Sequence, residues 1–268
     1  MGSSLISFTF FSYCKILLLF LLQTARFFRI ISMLKQYPEL NLTASIIIYR
    51  KRNPTMRILF LHLSDIHFEK KDDVIEKHIT EIASALSPAS IGTIDKIFML
   101  ITGDIGFSGK TEQYDCFTVF KNRLINALKQ HVLSNQLIHV YLVPGNHDID
   151  YSTLVRTRQD CENILKDPST FDWSKDIQSQ AAFLRCSSRN HFLSFRNPFF
   201  TRNIVDVNGF TIEINLLNST IFSLLHDNDQ GIHYVSDEVI NQLAAPTGAN
   251  RYLLCGWIHV LMPCPPFH

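Results

Sequence analysis

The sequence predicts an α/β fold of parallel strands joined by crossover helices. Three apolar runs, Ile58 to Leu63, Lys96 to Thr102 and Ile138 to Val143, alternate with stretches of helical periodicity. Each run is followed by residues of another kind: Asp65-Ile66-His67, Gly103-Asp104 and Gly145-Asn146-His147-Asp148. Carboxylate, imidazole and amide groups thus arrive at the carboxyl ends of strands, the edge where open α/β sheets bind ligands.

Residues 1–55 read as a hydrophobic N-terminal extension, either an anchor or a non-native start, ahead of one domain over 56–268. The run from Leu5 to Leu22 is mostly Phe, Leu and Ile, but Lys15 interrupts it and its longest clean piece is Ile16 to Leu22. A spanning helix takes about 20 apolar residues, so membrane contact is expected only through residues 5–33. Arg26, Arg29, Lys35, Arg50, Lys51 and Arg52 all follow the run, which would keep the downstream domain on the cytoplasmic side. The first fourteen residues carry no basic side chain and no A-x-A site follows, so a secretory signal is not expected.

Met56 stands just before the first strand. Asp72 to Leu86 sets Val74, Ile75, Ile79, Ile82 and Leu86 near a 3.6-residue repeat, closed by Ser87-Pro88, which gives the first crossover helix. Gln113 to Leu133, with Phe117, Phe120, Leu124, Ile125 and Leu128 on one face, gives the second. Tyr151 to Asn197 is polar and irregular and reads as an insertion or cap over the site. Beyond it, Gly209 to Leu217 alternates as a strand and Ile232 to Val235 is a short extended piece. Ser236 caps a helix through Ala245, and Tyr252 to His259 is the last strand.

Composition narrows the partner classes. The chain has 268 residues, 46% of them hydrophobic, enough for one large core. Lys plus Arg (25) nearly balances Asp plus Glu (24), so the basic excess that favours a nucleic-acid partner is missing. The six cysteines, at 14, 116, 161, 186, 255 and 264, show no CxxC pair, which suits a reducing cytoplasm.

The strand-end residues suit a pair of divalent metal ions. Two ions held about 3.5 to 4 Å apart clamp the attacking and leaving oxygens of a displacement at phosphorus, and the pair needs a bridging carboxylate. Asp104 is the expected bridge, with Ile105-Gly106 after it allowing close approach. Asp65 and His67, two apart, would point to the same side of an extended segment and grip one ion. Asn146 offers a carbonyl oxygen to the second, and mixed N/O ligation suits Mn, Fe, Co, Ni or Zn. His147 would bind a phosphoryl oxygen or protonate a leaving alkoxide, with Asp148 orienting its ring.

An isolated Asp-x-His or Gly-Asp is a common turn, whereas Gly-Asn-His-Asp after an apolar strand is specific, since a turn has no need of His and Asp. Together and in this order the three segments resemble the calcineurin-like metallophosphoesterases over roughly Met56 to His259. The resemblance implies a four-layer α-β-β-α sandwich of two mixed sheets. It also implies a dinuclear centre and hydrolysis of phosphomonoesters or phosphodiesters by metal-bound hydroxide. It assigns Asp65 and His67 to the first metal, Asp104 to the bridge, Asn146 to the second metal and His147 to the substrate.

The family continues with a histidine, often in His-His-Pro, and then Gly-His-x-His, and neither is present as written. His259, after the helix at Ser236, is the expected second-metal ligand. A competing alignment lays Gly256-Trp257-Ile258-His259 over Gly-His-x-His and gives His259 to the first metal. The domain thus reads as incomplete before that last motif. The leading expectation is a metal-dependent phosphoesterase, and the alternative is a catalytically impaired remnant acting as a binding module. His62, His78, His131 and His139 are expected to be packing or surface residues, and His226 and His233 to flank a polar turn. Nucleotides, phosphoproteins and lipids all remain open as substrates.

Overall fold

The computed structural model describes residues 28–37, 42–51, 57–69, 79–83, 94–129, 138–154, 156–172, 177–188, 198–207, 210–224 and 251–256, together with Lys175, Leu193, Arg196 and Asn241. The expected strand 232–235, most of the helix 236–245, and His78, His131, His226, His233 and His259 lie outside the described residues.

The strands β1 (Phe28–Tyr37), β2 (Leu42–Lys51), β3 (Arg57–Ser64), β4 (Lys96–Thr102) and β5 (Ile138–Val143) form one sheet in that order. β3, β4 and β5 run parallel, with Leu59 opposite Ile97 and Ile97 opposite Ile138. Their carboxyl ends therefore share one edge. β3 from Ile58 to Leu63 and β4 from Ile97 to Thr102 are buried throughout, as strands covered on both faces must be. β2 and β1 continue the sheet antiparallel, with Ile48 opposite both Leu59 and Ile31. The sequence reading did not expect these two strands, although Ile46-Ile47-Ile48-Tyr49 is a β-branched and aromatic run suited to a pleated surface. Among the described residues no helix is long and apolar enough to cross a membrane.

A second sheet holds β6 (Phe200–Val207), β7 (Phe210–Leu217) and β8 (Arg251–Gly256), with β6 antiparallel and β8 parallel to the central β7. Val207 pairs with Phe210 across Asn208-Gly209, a dipeptide favoured in two-residue hairpins. Ile212, Ile214 and Leu216 of β7 share one hydrophobic cluster with the buried residues of β3, β4 and β5. Lys96 Nζ, at the start of β4, donates to the carbonyl of Asp206 at 3.1 Å.

The helix α1 (Thr111–Lys129) buries Tyr114, Phe117, Phe120, Leu124 and Leu128, so the expected stripe gains Tyr114, while Ile125 is only half-buried against it. Residues 79–83 are helical, with Ile79 and Ile82 in the core. α2 (Arg158–Lys166) starts at a capping box in which the Thr157 hydroxyl accepts from Asp160 N and the Asp160 carboxylate accepts from Thr157 N. α3 (Ala181–Ser188) lies inside the segment expected to be an insertion or cap, but Phe183 and Leu184 are fully buried in the main cluster, Phe183 edge-on to Tyr114. This part of 151–197 is core. Its helices are short, and polar residues between them obscured the apolar stripe.

Candidate metal centre

Backbone hydrogen bonds continue past the ends of the three parallel strands and hold their loops together. Gly103 N donates to Val143 O at 2.9 Å, and Asp65 N donates to Gly103 O at 3.3 Å. His67 N reaches Asp104 O and Phe68 N reaches Ile105 O, both at 2.9 Å. Phe107 N then returns to Phe68 O at 3.1 Å.

Within these loops Asp65, His67 and Asp104 have φ of 56°, 51° and 52°, and among the described residues they are the non-glycine positions with positive φ. Such backbone costs on the order of 1–3 kcal/mol per residue and persists where the surroundings impose it, often at functional sites. The extended geometry expected for Asp65 to His67 does not hold, because the chain is left-handed at both residues.

The close approach to Asp104 is made by Gly145 rather than by the expected Gly106. A Cβ on Gly145 would stand 2.1 Å from Asp104 Oδ1 and 2.5 Å from Asp104 N. Asp104 Oδ1 also accepts from His147 N at 3.0 Å, which ties the end of β4 to the turn after β5. Burial, foremost, and the nearby Asp65 charge push the Asp104 carboxyl above its usual range, against the opposing bond from His147 N.

Asp148 has a different occupation from the one expected. Its buried carboxylate accepts from Gly106 N and Gly145 N at 2.8 Å each, from Ile105 N at 3.2 Å and from the Tyr114 hydroxyl at 2.7 Å. The His147 ring is oriented by another group, the Phe107 carbonyl, 2.9 Å from Nδ1. Asp148 is therefore a staple between two ligand loops, and burial followed by the Asp104 charge raises its pKa to about 6. Tyr114 was not singled out in the sequence. Its place in the α1 stripe marks it as buried, but its bond to Asp148 needs the fold to be seen.

Ligand atoms of His67, Asp104 and His147 lie within 4.8 Å of one another, a group able to hold a metal ion. The two imidazoles stand nearly perpendicular, with centroids 4.6 Å apart. Nδ1 of His67 is buried without a hydrogen-bond partner. Burial, and then the charge of His147, lower the His67 pKa and favour the neutral ring that metals require. An unpartnered nitrogen, a half-buried carboxylate and mixed N/O donors fit a divalent cation.

Of the residues picked from the sequence, His67, Asp104 and His147 are brought together as one group. Asp65 follows β3, accepts from Ser64 Oγ at 2.6 Å and stands outside that group of three. Asn146 begins the short 3-10 turn Asn146–Asp148, its carbonyl accepting from the Tyr151 hydroxyl at 3.0 Å. His62 is a core residue as expected, 2% exposed and paired with Thr102 Oγ1, and burial holds its pKa at about 4.

The parallel strands and the loops at their carboxyl ends define an α/β protein whose His67, Asp104 and His147 form a group able to hold a metal ion. The chain belongs to the calcineurin-like phosphoesterase family, which it matches over residues 58–257. It is similar to an uncharacterized metallophosphoesterase-like protein, YydB of Bacillus subtilis (strain 168), at 29% identity over 147 residues. That match takes in 54% of this chain and 28% of the relative. A human cytomegalovirus terminase nuclease domain aligns with 44% of this chain and 50% of its own at 14% identity, but its TM-score of 0.20 gives it no weight.

Proposed function

We propose that the chain hydrolyses phosphomonoester or phosphodiester bonds with water as nucleophile, using two divalent ions in a four-layer sandwich built from its two sheets. The observation that carries this reading is the convergence of His67, Asp104 and His147 at three strand ends, with the His67 Nδ1 left for a ligand. Asp65, His67, Asp104 and Asn146 would hold the ions, and His259 is proposed to join them. Bound divalent ions would polarise the phosphoryl group and make a water acidic enough to attack at neutral pH.

The protein's own part is orientation and proton handling. A carbonyl only accepts, so the His147 Nδ1 facing Phe107 O carries the hydrogen. Nε2 is left to meet a phosphoryl oxygen or, when protonated, to donate to the departing oxygen. Asp148 holds the Gly106 and Gly145 amides at fixed separation, so the loops bearing Asp104 and His147 move as one.

The balanced charge supports a small or protein-borne phosphoester over a nucleic-acid polymer. A cytoplasmic setting is supported by Cys116, Cys161 and Cys186, none of which is in a disulfide. The test is hydrolysis of nitrophenyl phosphate and bis-nitrophenyl phosphate with added Mn, compared with Asp104→Asn. Turnover that needs Mn and falls about 100-fold or more in the variant is expected. Equal rates in the two proteins remove the reading and favour a non-catalytic binding module.

A further inference from the structure

Among the described residues three large hydrophobic side chains are exposed, Phe107, Val119 and Ile204. Val119 belongs to α1 and Ile204 to β6, whereas Phe107 stands beside the ligand group. The Phe107 ring is 47% exposed, its centroid 5.7 Å from that of His147 and 6.2 Å from that of His67. Its backbone is fixed on both sides, since its N–H donates to Phe68 O and its carbonyl accepts from His147 Nδ1. The Phe107 backbone is therefore held beside the His147 ring, which sets the reach of its side chain.

A single exposed apolar side chain is ordinary at a protein surface, and what sets Phe107 apart is its place beside the two imidazoles. The surroundings limit what can pack against it. A phosphoryl group seated at His67, Asp104 and His147 would carry its ester substituent out past these rings, and a flat substituent would gain a stacking partner in Phe107. An extended alkyl chain would gain less, having no π face to offer.

We propose that Phe107 is a specificity-determining residue that packs against an aromatic or other planar ester group of the substrate, selecting aryl or nucleoside-like phosphoesters over small alkyl ones. This rests on the phosphoesterase reading, because it takes the phosphoryl position from that site. The backbone bond to His147 does not depend on the side chain, so substitutions at Phe107 leave that contact in place.

The experiment is calorimetric binding of phenylphosphonate and methylphosphonate to the Mn-loaded full chain, which needs no turnover. Wild type is expected to bind phenylphosphonate about tenfold more tightly, Phe107→Ala to lose that preference and Phe107→Tyr to keep it. A general loss of structure would weaken both ligands alike, so the ratio reports the contact itself. Equal binding of the two ligands by wild type, a preference that survives in Phe107→Ala, or binding of neither ligand overturns the proposal. A Phe107-dependent preference in a protein without hydrolytic activity upholds it and removes only the catalytic reading.

Discussion

The carboxyl edge of β3, β4 and β5 and the region around β7 both bury polar groups, yet they use them in opposite ways. Around β7 most of the polar groups bond one another, although the buried Ser223 Oγ has no partner among the described residues, and the backbone there is ordinary. Asn218 Nδ2 donates to Gln180 Oε1 and to Pro198 O, Asn218 Oδ1 accepts from Thr220 N, and Gln180 Nε2 donates to Thr220 Oγ1. Buried Glu213 accepts from Asn215 and pairs with Arg202 at 3.0 Å. At the strand edge, by contrast, His67 Nδ1 has no partner, Asp104 has a raised pKa, and three residues hold left-handed backbone. Burial alone does not mark a site. Burial with unmet bonding capacity and imposed backbone does.

The largest effect is expected where the edge is most crowded. Gly145→Ala sets a methyl group against Asp104, and should cost about 3 kcal/mol of stability and about 100-fold in metal affinity, read by denaturation and by Mn titration.

His62 supports the same strands without being part of the site, and it should weaken the metal-free fold in acid. Its folded pKa of about 4 lies below the usual 6.5, so the neutral ring is the native form. The stability it contributes is full above pH 6.5 and is lost as pH falls toward 4, a change of about 3 kcal/mol. Asp148, raised to about 6, contributes an opposite slope over much of that window, so the His62 contribution is read as the difference between wild type and His62→Gln in urea denaturation with chelator.

Asn218→Ala strands the Gln180 carbonyl and the Thr220 amide, and should destabilise by about 2 kcal/mol while leaving Mn affinity unchanged. Loss of metal binding in this variant would break the contrast between the regions. The smallest expected effect on stability has the opposite sign. Asp104→Asn keeps the acceptor for His147 N, removes a half-buried charge and tolerates the left-handed backbone. The metal-free variant should therefore be as stable as wild type or up to about 1 kcal/mol more so, while metal binding is lost.

The same contrast explains what the sequence made legible. β4 and β5 were readable to their ends, because strands buried on both faces are uninterrupted apolar runs closed by polar ligands. β6 is hard to read because Arg202, Asn203 and Asp206 break its apolar pattern. β1 and β2 fall inside the stretch 1–55 read as an extension, because Arg29, Lys35, Arg50 and Lys51 leave no clean apolar alternation there. In the site, residue types were readable from the motifs. The left-handed backbone, the place of Gly145 against Asp104 and the Tyr114 bond to Asp148 depend on loops that meet only in the fold.

The claim at the centre is that the unmet bonding capacity at the strand ends belongs to divalent metal. Calorimetric titration of the metal-stripped full chain with Mn tests it directly. Two ions per chain are expected, with that binding abolished in Asp104→Asn; fewer than one ion per chain, or an unchanged isotherm for the variant, contradicts the account.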